Sequence, residues 1–309
     1  MADRLQLDRL QPDRLFGATG IRVPLIGYGT APLGKDHITR EHAVRCLEHA
    51  IDRGITYIDT SPDYGSELHI GAVMRYRRDE VFLATKINRR SKEGVLDELH
   101  RSLEKLQTDR VDLIQVHAVN AWADLEQALA PDGAVAALEQ ARAEGLVRFI
   151  GITGHTRPEL LAHALRQYPF DSVLVALGMA DHLVSSPDTF LLPLAQERNT
   201  AVIAMKVLGH GEFSSIELAM RYSLGLPGVS LAIIGMDSIN QIDQNVAIAQ
   251  AFKPLAEDER QRLIAEVQPI VERDADAATE EAGRSPLFWL HDTKVMGWDK
   301  NDEPALVWY

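Results

Sequence analysis

From residue 25 to about residue 245, short apolar or β-branched runs alternate with longer stretches in which apolar positions recur every three or four residues. The short runs are Leu25–Gly29, Tyr57–Asp59, Val81–Lys86, Leu113–Val116, Arg148–Thr153, Ser172–Ala176, Ala201–Met205 and Leu231–Ile234, eight candidate strands in all. Between them lie helix-like stretches such as Thr39–Asp52, Ser91–Leu106, Gly133–Glu144, Pro158–Arg166 and Phe213–Ser223. In Ser91–Leu106 the apolar positions Val95, Leu96, Leu99, Leu103 and Leu106 fall on one helical face. Strand followed by helix, repeated eight times, predicts an α/β fold of the (β/α)8 TIM-barrel type. A doubly wound open sheet is the alternative, and it would carry a glycine-rich dinucleotide turn after its first strand. Gly27-Tyr28-Gly29-Thr30-Ala31-Pro32 sets Pro32 where that turn needs its third glycine.

The ends extend this pattern. Arg14-Leu15-Phe16 and Ile21-Arg22-Val23 flank Gly17-Ala18-Thr19-Gly20, a predicted N-terminal hairpin able to plug the bottom of the barrel. Residues 1–13, where Asp-Arg-Leu recurs at five-residue intervals, read as a flexible N-terminal extension, and residues 14–309 as one domain. Leu255–Arg273 predicts an extra C-terminal helix, and the tail beyond it gathers Trp289, Trp298 and Trp308 in an irregular segment. Such a tail either packs on the barrel surface or forms a lid lining an aromatic pocket.

Composition narrows the function. Hydrophobic residues make up 46% and charged residues 25% of the 309, ordinary for a globular chain. The formal charge of −13 disfavours nucleic acid and anionic membranes, which require clustered cations. No apolar run reaches the length of a membrane span, and none has the form of a signal peptide, so the cytoplasm is the expected compartment. Cys46, the single cysteine, rules out an internal disulfide and reads as a core thiol.

In a barrel of this type the reactive groups lie at the carboxyl ends of the strands. Asp59 ends the second strand, Tyr64 follows in YIDTSPDYG, Lys86 closes VFLATK, and His117 stands just beyond LIQV. An ionised side chain at the tip of an apolar strand is costly to desolvate, so Asp59 and Lys86 are expected to pair. A cation beside Tyr64 lowers a phenol pKa of ~10 toward the working range, and His117 can hydrogen-bond the reacting oxygen. His155, His182 and His210 follow the fifth, sixth and seventh strands. Barrel metal hydrolases usually carry His-x-His after the first strand, which is missing, so polar substrate contacts are expected in place of a metal site. Trp122, His155, His182 and Trp289 are the candidate substrate contacts.

The motifs YIDTSPDYG, VFLATK and DLIQVH, in this order and at strand ends, resemble those of the aldo-keto reductase superfamily, from the hairpin near Arg14 to about Asn245. The resemblance implies a catalytic tetrad of Asp59, Tyr64, Lys86 and His117, with Tyr64 as general acid/base, Asp59 and Lys86 as its tuning pair and His117 as the orienting group. It implies hydride transfer between a nicotinamide, NADP(H) or NAD(H), and a carbonyl or alcohol of a small aldehyde, ketone or sugar-like substrate. The implied cofactor contacts are Gly29, Thr30, Asp59, Thr153, Gly154, Met205, Lys206, Gly235, Met236, Asp237, Ser238, Gln241, Gln244 and Asn245. Departures are visible. The usual Ser-Asn after strand five reads Thr153-Gly154-His155, the strand-six glutamine reads Leu174, and Met205-Lys206 displaces the aromatic that stacks on nicotinamide. A family branch with Ala-Met-Lys there often carries a cysteine-rich iron-sulfur tail, which a chain with one cysteine cannot supply. The Lys and Arg that clamp the 2′-phosphate of NADPH in many members correspond to Gly235 and Gln241, so weak discrimination between the two cofactors is expected. Two other readings stay open: an aldolase-like barrel with Lys86 as Schiff-base nucleophile, and a cofactor-sensing or partner-binding subunit on the same fold.

Overall fold

The computed structural model describes residues 12–280 and 287–290. An antiparallel hairpin of β1 (Asp13–Leu15) and β2 (Arg22–Pro24) precedes eight parallel strands. These are β3 (Ile26–Gly29), β4 (Tyr57–Asp59), β5 (Phe82–Ile87), β6 (Val111–Val116), β7 (Val147–Gly154), β8 (Ser172–Ala176), β9 (Ala201–Met205) and β10 (Val229–Gly235). They pair in chain order, and β10 closes the barrel on β3. Every residue of β4, β5 and β6 is buried, because the barrel interior covers one face and the helices the other. Around the barrel run α1 (Arg40–Asp52), α2 (Glu67–Arg77), α3 (Lys92–Leu106), α4 (Trp122–Leu129), α5 (Ala134–Ala143), α6 (Pro158–Gln167), α7 (Met179–Val184), α8 (Leu191–Glu197), α9 (Ile216–Gly225), α10 (Ile239–Gln250) and α11 (Glu257–Glu280).

All eight predicted strands form, with ends shifted by at most two residues. The TIM barrel, the hairpin and the extra helix stand as expected. Side-chain oxygens of Thr39, Ser91 and Ser238 accept backbone N–H groups three residues on and start α1, α3 and α10. The predicted Phe213–Ser223 helix begins later, because the Ser214 and Ser215 amides are held by Glu266 at 2.6 and 3.1 Å. Helix α2 was not predicted: its buried face includes Glu67 and Gly71, which blur the apolar period. A methyl group on Gly71 would meet the Lys105 carbonyl oxygen at 2.1 Å, so close packing of α2 on α3 fixes that glycine. Residues 1–11 of the predicted extension, and Trp298 and Trp308 of the tail, lie outside the described residues; Asp13 itself joins β1.

The two ends of the barrel differ in chemistry. At the bottom, Phe16 and Val23 of the hairpin region pack with Tyr57, Phe82, Leu113, Ile203 and Leu231 in one apolar cluster, with the Tyr57 and Phe82 rings stacked 5.0 Å apart. The hairpin is thus a plug, held also by Arg14 Nη1 donating to the Val229 carbonyl at 2.7 Å. Apolar closure at one end leaves the polar side chains of the interior for the other. Register does the rest: Asp59 lies opposite Ala84 and Lys86 opposite Gln115, so polar residues of β4, β5 and β6 reach the carboxyl-end mouth together.

Helix α11 docks on α7 and α9 through Leu263 and Val267, and through a buried arginine. Arg221 of α9, 2% exposed, donates to both Glu259 oxygens at 2.9 and 2.6 Å, and to the carbonyls of Lys253 and Pro254. The Arg221 hydrogen bonds, with the Ala256 amide, depress the Glu259 carboxyl from its ordinary 4.5 to about 2. A depressed acid stabilises the fold above its ordinary pKa and loses that contribution as pH falls toward the depressed value. Glu259→Gln is therefore expected to lower the melting temperature at pH 7, with the gap to the parent closing between pH 4.5 and about 2. Calorimetry across that range checks this; a gap independent of pH would place the stabilisation elsewhere.

Candidate active site

Asp59 at the tip of β4 and Lys86 near the end of β5 form a buried ion pair, with side chains 3% and 1% exposed. Lys86 Nζ also donates to the Thr60 carbonyl at 2.8 Å, and Gln115 Nε2 of β6 donates to the second Asp59 oxygen at 3.0 Å. Burial pushes the Asp59 carboxyl above its usual range against the pull of Lys86 and Gln115. The Lys86 ammonium faces the Tyr64 ring at 4.7 Å from its centroid, and the His117 ring stands edge-on to Tyr64 at 6.2 Å. The four residues expected to gather do gather.

The Tyr64 loop is set by what lies beneath it. A methyl group on Gly34, in the turn after β3, would fall 1.6 Å from the Tyr64 carbonyl oxygen, so only a glycine lets the two loops touch. Gly65, at φ +76°, turns the chain where an L side chain would be strained. Thr30 Oγ1 donates to the Asp59 carbonyl at 2.9 Å and meets Ser66 Oγ at 3.0 Å, and Thr60 reaches the same Ser66 at 3.1 Å. On the far side, the buried Arg90 donates to the carbonyls of Ile87, Asn88, Arg89 and His117 and pairs with Asp124 of α4 at 2.7 Å. One guanidinium thereby ties the loop after β5 to the end of β6.

The other predicted site residues divide. Thr153 is buried at the end of β7, and its Oγ1 accepts the Ala118 amide at 2.8 Å while its hydroxyl can still donate. Gly154 faces away from the mouth: a methyl group there would meet the Val119 carbonyl at 2.9 Å and the Leu161 side chain. His155 turns its ring toward His117, 6.1 Å away, and its buried Nδ1 has no hydrogen-bond partner among the described residues. Burial, then Lys206, Lys86 and His210, hold its imidazole well below the usual range and thus neutral. The Met205 side chain packs into the apolar interior with Leu174. Lys206, in the left-handed region at φ +61°, lies under the Trp289 ring at 5.0 Å and meets His210 Nε2 at 2.6 Å. Burial pulls the Lys206 ammonium down, to about 7, a shift tempered by the solvent that still reaches this half-buried residue.

Trp289 is fully buried with Leu263, Val267 and Phe213, and its Nε1 donates to Asp181 Oδ1 at 2.9 Å. This short piece of the tail thus docks above the end of β9. His182 is not brought to the mouth. Its ring nitrogens are taken by Asp188 at 3.0 Å and Arg260 at 3.0 Å, so it joins α7 to α11. Trp122 is exposed on α4 with its ring against His163 of α6, 5.1 Å away on the outer shell. No group of three or more metal-ligating side chains is assembled among the described residues.

Gly29 and Gly235 are paired in register where β3 and β10 meet, a stretch of bare backbone beside the start of α10. There Ser238 Oγ accepts the Gln241 amide, capping α10, and Gln241 Oε1 accepts the amide of the preceding Asp237 at 2.7 Å. The Asp237 carbonyl accepts a bond from His42 of α1 at 2.6 Å, and that of Met236 accepts one from the Tyr28 hydroxyl at 3.0 Å. Asn245 is buried one turn further on, while Gln244 is exposed. Gln115, Gly34, Asn88 and Arg90 were not singled out from the sequence. Gln115 alone had a signal, as a polar residue inside the LIQV run; the others are defined by partners distant in the chain.

Residues 25–216 match the Aldo/keto reductase family. The chain is 29% identical to L-galactose dehydrogenase of Arabidopsis thaliana, over 84% of this chain and 94% of that protein. It is 32% identical to D-threo-aldose 1-dehydrogenase of a Pseudomonas species, over 65% of this chain and 70% of the relative. Among solved structures, the holo form of an aldo-keto reductase from Bacillus halodurans superposes with a TM-score of 0.70 at 24% identity, covering 83% of this chain and 96% of that one. An aldo-keto reductase from Klebsiella pneumoniae solved in complex with NADPH gives 0.68 at 24% identity, over 82% and 94%. At that identity the two structures speak for the fold, and the match of residues 25–216 speaks for descent. The chain belongs to the aldo/keto reductase family.

Proposed function

We propose that this protein is a nicotinamide-dependent oxidoreductase that moves a hydride between NAD(P) and a carbonyl or alcohol carbon of a small aldehyde, ketone or sugar-like substrate. The observation that carries this reading is the Lys86 ammonium, buried, paired with Asp59 and set against the Tyr64 ring at 4.7 Å. A cation in that position stabilises phenolate relative to phenol, so Tyr64 can release a proton to a carbonyl oxygen or take one from an alcohol. Asp59 keeps the ammonium in place, and Gln115 keeps Asp59 in place. His117 orients the substrate oxygen. The names of the two relatives, both dehydrogenases of aldoses, support the sugar-like end of the substrate range.

The residues at the mouth fit a dinucleotide. The His155 Nδ1, which has no partner among the described residues, and the Thr153 hydroxyl offer hydrogen bonds at the nicotinamide end, and the capped start of α10 with the buried Asn245 offers an adenosine end. The bound cofactor would supply or accept the hydride; the chain would supply orientation and the proton. Lys86 is poorly placed as a Schiff-base nucleophile, because its amine is committed to Asp59 and Thr60. A role as a cofactor-sensing subunit leaves the Asp59–Lys86–Tyr64 grouping without a use.

Three outcomes are expected. Tyr64→Phe should leave cofactor binding intact, measured by fluorescence, while carbonyl reduction falls by roughly 10²–10⁴-fold; unchanged turnover would sink the assignment. Gly34→Ala should lower turnover by about 10²-fold through displacement of the Tyr64 loop, with a much smaller loss of melting temperature; equal turnover would show that the loop tolerates the shift. The Gly235–Asn245 segment contains no Lys or Arg, and it carries two carboxylates, Asp237 and Asp243. The preference between NADPH and NADH is therefore expected to stay within about tenfold in kcat/KM, about 1.4 kcal/mol. Assaying both with one substrate decides it, a thousandfold preference for NADPH being incompatible with this turn.

A further inference from the structure

Of the two carboxylates in the Gly235–Asn245 segment, one is engaged by the protein and one is not. His49 Nε2 of α1 donates to Asp243 at 2.9 Å, and Arg53 pairs with the same oxygen. Asp237, half-buried in the turn between β10 and α10, makes no side-chain hydrogen bond or ion pair among the described residues. Its backbone is in the opposite state. The amide donates to Gln241 Oε1 at 2.7 Å, and the carbonyl accepts from His42 Nε2 at 2.6 Å.

We propose that His42 is a positioning residue for the dinucleotide: it holds the Asp237 backbone so that the Asp237 carboxylate accepts a hydroxyl of the adenosine ribose. This rests on the oxidoreductase reading above and extends it to a residue of α1 that acts through Asp237.

A carbonyl has no proton to give, so His42 Nε2 carries one and donates it. Cys46 Sγ, a weak donor 3.8 Å from the same carbonyl, cannot replace that bond. Around this contact the turn is closed on every side. The Tyr28 hydroxyl of β3 donates to the Met236 carbonyl at 3.0 Å, and a side chain at Gly235 would meet Pro32 at 3.1 Å. His42, Cys46, His49 and Arg53 recur along one face of α1, and that face grips both Asp237 and Asp243.

The fold gains nothing from a half-buried carboxylate that has no partner, whereas a ligand hydroxyl meets it with a charge-assisted hydrogen bond. Fixing the backbone of Asp237 beforehand removes the ordering cost that binding would otherwise carry. The remaining hold on α10 does not need His42. Ile242, Val246 and Ala249 are buried in the core, and Asp243 has its own two partners. Loss of the His42 bond therefore loosens the turn and leaves the helix docked.

Binding of NADH to the full chain, read from the fluorescence of the reduced nicotinamide, tests this without turnover. His42→Ala and Asp237→Ala should each raise the Kd about tenfold, and the double variant should be no weaker than either alone. His42→Gln, whose side-chain amide nitrogen can donate in place of Nε2, should recover most of the loss. A hundredfold loss in the double variant would mean that His42 does not act through Asp237, and equal losses in His42→Ala and His42→Gln would reduce His42 to a structural role; either result overturns the proposal. A two-bond proton–nitrogen spectrum of the parent labelled with ¹⁵N-histidine, with His42 assigned through its loss in His42→Gln, should show the proton on Nε2. A proton on Nδ1 overturns the proposal even if His42→Ala fails to fold. A parent that binds NADH, with His42→Ala binding it equally well, overturns the proposal alone; a parent that binds neither NADH nor NADPH overturns the oxidoreductase reading as well.

Discussion

An ammonium group enclosed in a protein interior has to be compensated where it sits, and the mouth of this barrel is arranged around that requirement. Lys86 projects from a strand in which every residue is buried. Its charge is met by Asp59, by the Thr60 carbonyl and by the face of the Tyr64 ring. Each partner comes from the β4 strand and the loop that follows it, so the compensation depends on the lateral register of β4 against β5. The register places Asp59 two steps short of Lys86, a span that the long lysine stem crosses. Removing either charge would leave the other buried alone, which is far costlier than losing an exposed pair. The same enclosure strengthens the action of that charge on the neighbouring phenol, since water is excluded there.

The rest of the mouth consists of devices that keep this cluster from relaxing. Gln115 restrains the second oxygen of Asp59 from the next strand. Gly34 gives up its side chain so that the Tyr64 loop can rest directly on the turn after β3. Arg90 collects four carbonyls from two loops and is anchored in turn by Asp124. Positioning groups are thus held by further groups, and the outermost of these belong to the helical shell, whose packing is apolar and rigid. On the opposite rim the pattern is looser. Lys206 and His210 bond each other, and Trp289 covers Lys206 while bonding Asp181. Burial pushes the Asp181 carboxyl up to about 6, opposed by the Trp289 indole and the Gly178 amide.

How much of this could be read from the chain alone is a question of range. The eight strands were legible because each is a short apolar run bounded by polar segments, and burial on both faces imposes that pattern on each strand by itself. Asp59, Tyr64, Lys86 and His117 were legible for a related reason: a titratable residue at the end of an apolar run is conspicuous without any knowledge of its partners. The hairpin plug, the amphipathic α3 and the cap at Ser238 are likewise local features. Helix α2 was missed because its period is broken by Glu67 and Gly71, which are explained only by α3 lying against them.

What the tertiary structure decided is which side chains meet. His155 and His182 look alike in sequence, each following a strand; one turns toward His117, and the other is taken up by Asp188 and Arg260. Gly154 was expected among the cofactor contacts, yet a side chain at that position would point to the Val119 carbonyl. Asp63 and Asn88 are ordinary loop residues until barrel closure sets them beside His117. The sequence by itself determined the repeating strand–helix units and the chemical groups at their ends, because burial and periodicity act within a few residues. Hydrogen bonds depend on separations of about 3 Å and on direction. Between residues far apart in the chain, those quantities exist only once the barrel has closed.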